Sequence, residues 1–148
     1  MRMLRSAVLF AVACAASWPA TARAEPQLYP IAQALSSPAA QAKLDPGIKL
    51  FFGRQRHPAV ARTMGVWPTN KRANIFGRSN QLACEYSLLS AVLSLQGRAR
   101  RERVNAVVDI VSSYGSVMTV SPTQYVCDVG SLRAGVALRG RVVSLGGR

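Results

Sequence analysis

The strongest constraint on this chain is a change of hydrophobic period near residue 104. From Ser79 to about Arg101 the apolar residues recur at helical spacing. From Asn105 to Leu145 they come instead in short, β-branched runs with a period of two. Ser79 is a good N-cap, because its hydroxyl can accept from the free N–H groups of a first turn. Leu82, Tyr86, Leu89 and Leu93 mark one helix face, and Cys84, Leu88, Ala91, Val92 and Leu95 widen it. Gln81, Glu85, Ser87, Ser94 and Gln96 fall between them. The spacing predicts a largely buried helix over 79–101, with Cys84 near its start on or beside the apolar side. Gly97 weakens that helix by about 1 kcal/mol relative to Ala. Arg98, Arg100, Arg101 and Arg103 fall at its end, where the helix dipole favours cations.

The β-rich part predicts strands over 105–114, 124–129 and 135–145, the last with a bend at Gly140, and a short further strand over 117–120. Along 124–129, Tyr125, Cys127 and Val129 share one side and Gln124, Val126 and Asp128 the other. Upstream, Asp45-Pro46-Gly47 is a turn by chemistry and 48–52 (IKLFF) a strand. Ser37-Pro38 opens a short helix through Leu44, with Ser at the N-cap and Pro in the first helical position. Residues 25–30 read as extended and 31–35 as a short apolar element. Met64 to Trp67 reads as a strand ended by Pro68, and Thr69 to Arg78 as a polar, basic loop or hairpin tip. Helix plus strands in this order makes an α+β chain: a single two-layer domain over 25–148, with an antiparallel sheet packed against one main amphipathic helix.

Residues 1–24 have the layout of a secretory leader. Arg2 and Arg5 supply the positive start, and Ser6 to Ala16 is an apolar run too short to span a bilayer. Pro19 breaks it, and cleavage after Ala22 or Ala24 fits the small residues there. A lipoprotein attached through Cys14 is the lesser alternative, because the residues before Cys14 make a weak lipid-attachment motif. The expected location is periplasmic. Removal of the leader takes three of the 19 Lys/Arg and none of the six Asp/Glu, so the remaining net charge is +10. Such a charge attracts polyanions, and in a bacterial envelope these are anionic lipid components or an acidic protein. Two cysteines then remain, Cys84 and Cys127. An even count in an oxidising compartment argues for a disulfide between helix and strand, with a pair of free buried thiols as the alternative. Closing that loop would contribute about 4 kcal/mol in the chain-entropy description.

The segments A-x-x-S-L-Q-x-R-A-R (91–100), N-A-V-V-x-I-V-S-x-Y (105–114), Q-Y-V-C (124–127) and A-G-V-A-L-R-G (134–140) carry a resemblance. Together they resemble a group of small secreted bacterial proteins that often bear the automatic label "excinuclease ATPase subunit". More distantly, the helix and the strand after it are similar to RcsF-like envelope lipoproteins and YbjQ-like domains. The group tends to have Gly between the helix and Asn-Ala-Val-Val, where this chain has Arg103-Val104. The resemblance implies an envelope protein with a binding or stress-related role.

Residue chemistry does not support the label's literal meaning. A phosphate-cradling loop needs Gly-x-x-x-x-Gly-Lys-Ser/Thr, and the sequence contains no Gly-Lys pair, so no ATP is expected. No Cys-x-x-Cys pair and no His/Cys cluster has metal-ligand spacing, and no cofactor is expected. His57, the single histidine, sits among basic neighbours without a nucleophile elbow and reads as an exposed loop residue. Asp109 lies in a strand that reads as buried; it pairs with an Arg or faces solvent at a sheet edge. No catalytic residue is therefore named, and a non-enzymatic protein is the expectation. The basic residues stand above background in three clusters: Arg54 and Arg56; Lys71, Arg72 and Arg78; and Arg98, Arg100, Arg101 and Arg103. They are the candidate anion-binding residues, with the neighbouring aromatics Phe51, Phe52, Trp67 and Phe76 either in the core or at a surface contact. The competing reading is a basic nucleic-acid-binding protein, which the leader opposes.

Overall fold

A computed structural model describes Pro19 and residues 25–146. The leader therefore lies outside the described residues, apart from Pro19. Among the described residues the architecture is mixed: a seven-stranded sheet, one long helix and two short ones. The sheet is larger than expected: the extended stretch 25–30 joins it, and the strand expected over 64–67 extends over 60–74. It comprises β1 (Glu25–Pro30), β2 (Lys49–Phe52), β3 (Val60–Asn74), β4 (Ala106–Tyr114), β5 (Val117–Thr119), β6 (Gln124–Val129) and β7 (Arg133–Leu145). The helices are α1 (Ile31–Ser36), α2 (Pro38–Gln41) and α3 (Asn80–Arg101).

β7 is the hub. Along one edge it pairs with the whole of β3, from Asn74 opposite Arg133 to Val60 opposite Leu145. Its other edge is shared: Ala134 and Gly135 face β6, and the stretch from Leu138 to Val143 faces β4. Beyond these, β1 pairs antiparallel with β6, β5 with the end of β4, and β2 with the start of β4. The last of these pairings is parallel, which corrects the expectation of a purely antiparallel sheet. Its cause is the connection after β2. Gly53 N–H donates to Ile110 O, and at the far end of the same stretch Gly146 N–H donates to Ala59 O. Residues 53–59 thus form a strap from the β2 edge back towards β3, instead of a hairpin.

Two further corrections concern β3. Pro68 does not end it, and residues 69–74 are strand, not loop. Proline lacks the N–H that an interior strand needs, but β3 pairs only with β7, so its other edge makes no such demand. The charges Arg62, Lys71 and Arg72 lie on this exposed edge strand, where they also discourage edge-to-edge association.

α3 lies against β7 and β3, with smaller contacts to β4 and β6. Ser79 caps it as its chemistry predicts: its Oγ accepts from Leu82 N at 3.1 Å. Of the expected face, Cys84, Leu88, Leu89, Ala91, Val92 and Leu95 are buried, whereas Leu82 and Tyr86 remain 40% and 39% exposed. Ala83, Ser87, Gln96 and Ala99 complete two buried rows: Ala83, Ser87, Ala91, Leu95, Ala99 and Cys84, Leu88, Val92, Gln96. Alanine in every second place of the first row lets the helix approach the sheet closely. The two polar residues in the stripe are satisfied. Ser87 Oγ lies 2.9 Å from Ala83 O and 3.1 Å from Ala134 O, linking helix to β7. Gln96 accepts from Asp45 N and donates to Asp45 O and Ile48 O, all at 2.9–3.0 Å. The turn before β2 is thereby latched to the helix.

On the sheet, Ala134, Val136, Leu138 and Val142 of β7 face this core with Val107, Ile110, Tyr125 and Cys127. Gly140 occupies the same row. A side chain there would come within 2.6 Å of Val107 and 3.4 Å of Leu95, so its absence lets β4 and α3 close over β7. The opposite face has a small cluster of Ala106, Val108 and Val143 with Phe51, Val60 and Leu145.

Candidate functional site

Cys84 and Cys127 form a disulfide, with Cα atoms 5.9 Å apart and both residues fully buried. It joins the second row of α3 to the core-facing side of β6, so it pins helix to sheet as the sequence suggested.

The candidate anion-binding residues do not gather on one surface. Arg54 and Arg56 are exposed on the strap after β2. Lys71 and Arg72 lie on β3, and Arg78 just before α3. Arg100, Arg101 and Arg103 are at the other end of that helix, about 33 Å away for 22 residues. Within the last cluster two arginines are already engaged. The Arg98 guanidinium lies 3.4 Å from the centroid of the Trp67 ring and pairs with Glu102 one turn on. Arg100 donates from Nη2 to Asp45 Oδ2 at 2.8 Å. This pairing, with the Gly47 N–H, holds the Asp45 carboxyl below the ordinary carboxylate range. Arg78 stacks over the Tyr86 ring, 4.9 Å from its centroid, and donates to Asn74 O at 3.2 Å. Of the aromatics, Phe52 is buried, Phe51 and Trp67 are half-buried, and Phe76 stands in solvent.

Three more arginines belong in this account: Arg133, Arg139 and Arg141 of β7. They alternate with the core row of Ala134, Leu138 and Val142, and therefore lie on the sheet face away from α3. Their even spacing from one another was the available signal. Arg141 is partnered: its Nη2 lies 2.6 Å from Asp109 Oδ2. Asp109 itself is exposed, and its pairing with an arginine is one of the two fates expected for it within a strand that reads as buried. It sits where the β4–β7 register shifts, with a φ of 51°, a left-handed conformation that Asp tolerates better than most residues.

His57 is half-buried on the strap, its ring 5.4 Å from Phe51 and its Nδ1 2.8 Å from Pro58 O. Among the described residues no three His, Cys, Asp or Glu side chains are placed to hold a metal ion. The cleft between the short helices and α3, lined by Ala34, Ser37, Leu82, Glu85, Tyr86 and Leu89, contains a single carboxylate. Its serine is committed to capping α2, accepting from Ala40 N at 3.2 Å. Among the described residues no helix is long and apolar enough to cross a membrane. Comparison with protein-family models, with curated proteins and with solved structures finds no match to the chain.

Proposed function

We propose that this chain is an exported, non-enzymatic binding protein of the bacterial envelope, stapled as a two-layer domain by its disulfide and drawn to anionic envelope components by its basic surface. The observation that carries the reading is the buried bond between Cys84 and Cys127, taken with the leader pattern of residues 1–24. Disulfides persist in oxidising compartments and are rare in reducing ones. The net charge of +10 left after the leader supports an anionic partner. The resemblance of the helix and the strand after it to RcsF-like lipoproteins is the ground for a stress-related setting, and resemblance does not by itself confer function.

The test is a non-reducing intact mass and peptide map of the protein from its host's periplasmic fraction. A mass beginning at residue 23 or 25, with the Cys84 and Cys127 peptides linked, is the expected result. A full-length chain with free thiols in the cytosol would overturn it. The basic surface would then be read as a nucleic-acid face.

A further inference from the structure

We propose that one end of the molecule, where the β3–α3 turn, the β6–β7 turn and the start of β1 meet, is a membrane-contact tip that seats on an anionic bilayer surface. This deepens the envelope reading above and rests on it.

Phe76 and Leu132 are 90% and 75% exposed, the highest values among the large hydrophobic residues described. They are neighbours in the fold. Ile75 N–H donates to Leu132 O at 3.1 Å, and Asn74 lies opposite Arg133 in the β3–β7 ladder. Phe76 is not on a slack loop: its N–H is held by Asn74 Oδ1 at 2.7 Å, and Arg78 N–H closes the turn on Ile75 O. The turn therefore presents the ring to solvent by construction. Leu82 and Tyr86 are partly exposed on the first turns of α3, with Tyr86 beneath the Arg78 guanidinium.

Cations flank the pair. Arg78 and Arg133 each adjoin one of the two turns, and Arg72 follows on β3 opposite Gly135. The acids at this end are Asp128, half-buried, Glu85, hydrogen-bonded by Gln81, and Glu25 at the start of β1. Exposed apolar side chains with an arginine beside each of the two turns suit the interface of a bilayer with anionic headgroups, where apolar area and charge act together. A bilayer interface takes up the charge together with the two apolar side chains, Phe76 at 90% and Leu132 at 75% exposure.

The direction of the chain gives a second argument. β1 starts opposite Val129, one residue before the β6–β7 turn. Whatever precedes Glu25 joins the fold at this same end, including the apolar run of residues 6–16 and Cys14. In the lesser alternative of attachment through Cys14, the acyl chain would tether the molecule from this same end.

The experiment is flotation of the oxidised chain, residues 25–148, with phosphatidylcholine vesicles with and without phosphatidylglycerol. Three variants are compared: Phe76→Ser with Leu132→Ser, Arg78→Gln with Arg133→Gln, and Arg101→Gln with Arg103→Gln at the far end of α3. All six positions are exposed and all but Arg103 are in ordinary backbone, and matching thermal unfolding verifies folding. Wild type should float only with anionic vesicles. The arginine tip variant should bind about 30-fold more weakly and the apolar tip variant should fail to float, while the far-end variant should match wild type. Binding that survives both tip variants but falls in the far-end variant would overturn the tip and leave the anion-binding reading standing. No flotation of wild type would also overturn it, without touching the export result read by mass. Self-association removed by the apolar variant, in the absence of flotation, would assign the tip to a second copy instead.

Discussion

At the scale of single residues, the end of α3 shows how a sequence departure is absorbed. Arg103 sits at φ 57°, the left-handed conformation that follows many helices. Its N–H donates to Arg100 O, and Val104 N–H reaches back to Ala99 O, completing the hydrogen bonds of a Schellman cap. Glycine is the usual occupant because an L side chain in this region costs about 1–2 kcal/mol. Arg103→Gly is therefore expected to stabilise the protein, by about 0.5–1 kcal/mol after the added entropy of the unfolded chain, as measured by urea unfolding. Tyr125 gives a prediction of the opposite kind. It is buried, its hydroxyl has no hydrogen-bond partner among the described residues, and burial, with Glu85 and Tyr29 nearby, pushes its phenol above the ordinary range. As pH rises past about 10 the unfolded chain releases this proton while the folded one keeps it, so the folded state loses stability. Tyr125→Phe should remove that share of the alkaline loss and be neutral or stabilising by about 1 kcal/mol at pH 7. Unfolding of both proteins at pH 7 and above pH 10 measures it.

At the scale of elements, the disulfide ties the one long helix to a strand 43 residues away in sequence. Cys84→Ser with Cys127→Ser should lower stability by about 4 kcal/mol or more, because the loop is freed and two buried hydroxyls replace the bond. Chemical denaturation of the double variant against the oxidised protein checks the value. Local chemistry made several elements legible: the Ser79 and Ser37 caps, the Asp45 turn, and the period change that separates α3 from β4. What was not legible depended on distant partners. β3 runs through Pro68 only because that edge has no neighbour. Ser87 and Gln96 look like solvent-facing helix positions until Ala134 and the 45–48 turn supply their hydrogen bonds. The direction of β2 is set by a strap that has no sequence signature. The site behaved similarly. The arginine clusters were visible as composition, but their separation along α3, the stacking of Arg98 on Trp67 and the exposure of Phe76 are properties of the folded arrangement.

At the scale of the whole molecule, charge and apolar surface are distributed unevenly. The last turns of α3 spend two arginines on internal pairs with Glu102 and Asp45, while Arg133 and Arg78 flank two outward-held hydrophobic residues at the opposite end. An interaction driven by net charge alone would weaken with added salt whichever end were altered. One driven by the tip would retain its apolar part, so the far-end and tip variants differ in salt response as well as in affinity.

The position of β7 has a further consequence, for the order in which the chain is made. β3, β4 and β6 have no common partner but β7, and β7 is the last of the described strands to leave the ribosome. Until then the nascent chain holds a β1–β6 pair, a β2–β4–β5 group and an isolated β3, each with bare edges. Those bare edges leave the chain dependent on prompt completion or on a holding partner. A sheet whose hub is the last described strand to be made closes only once that strand has left the ribosome.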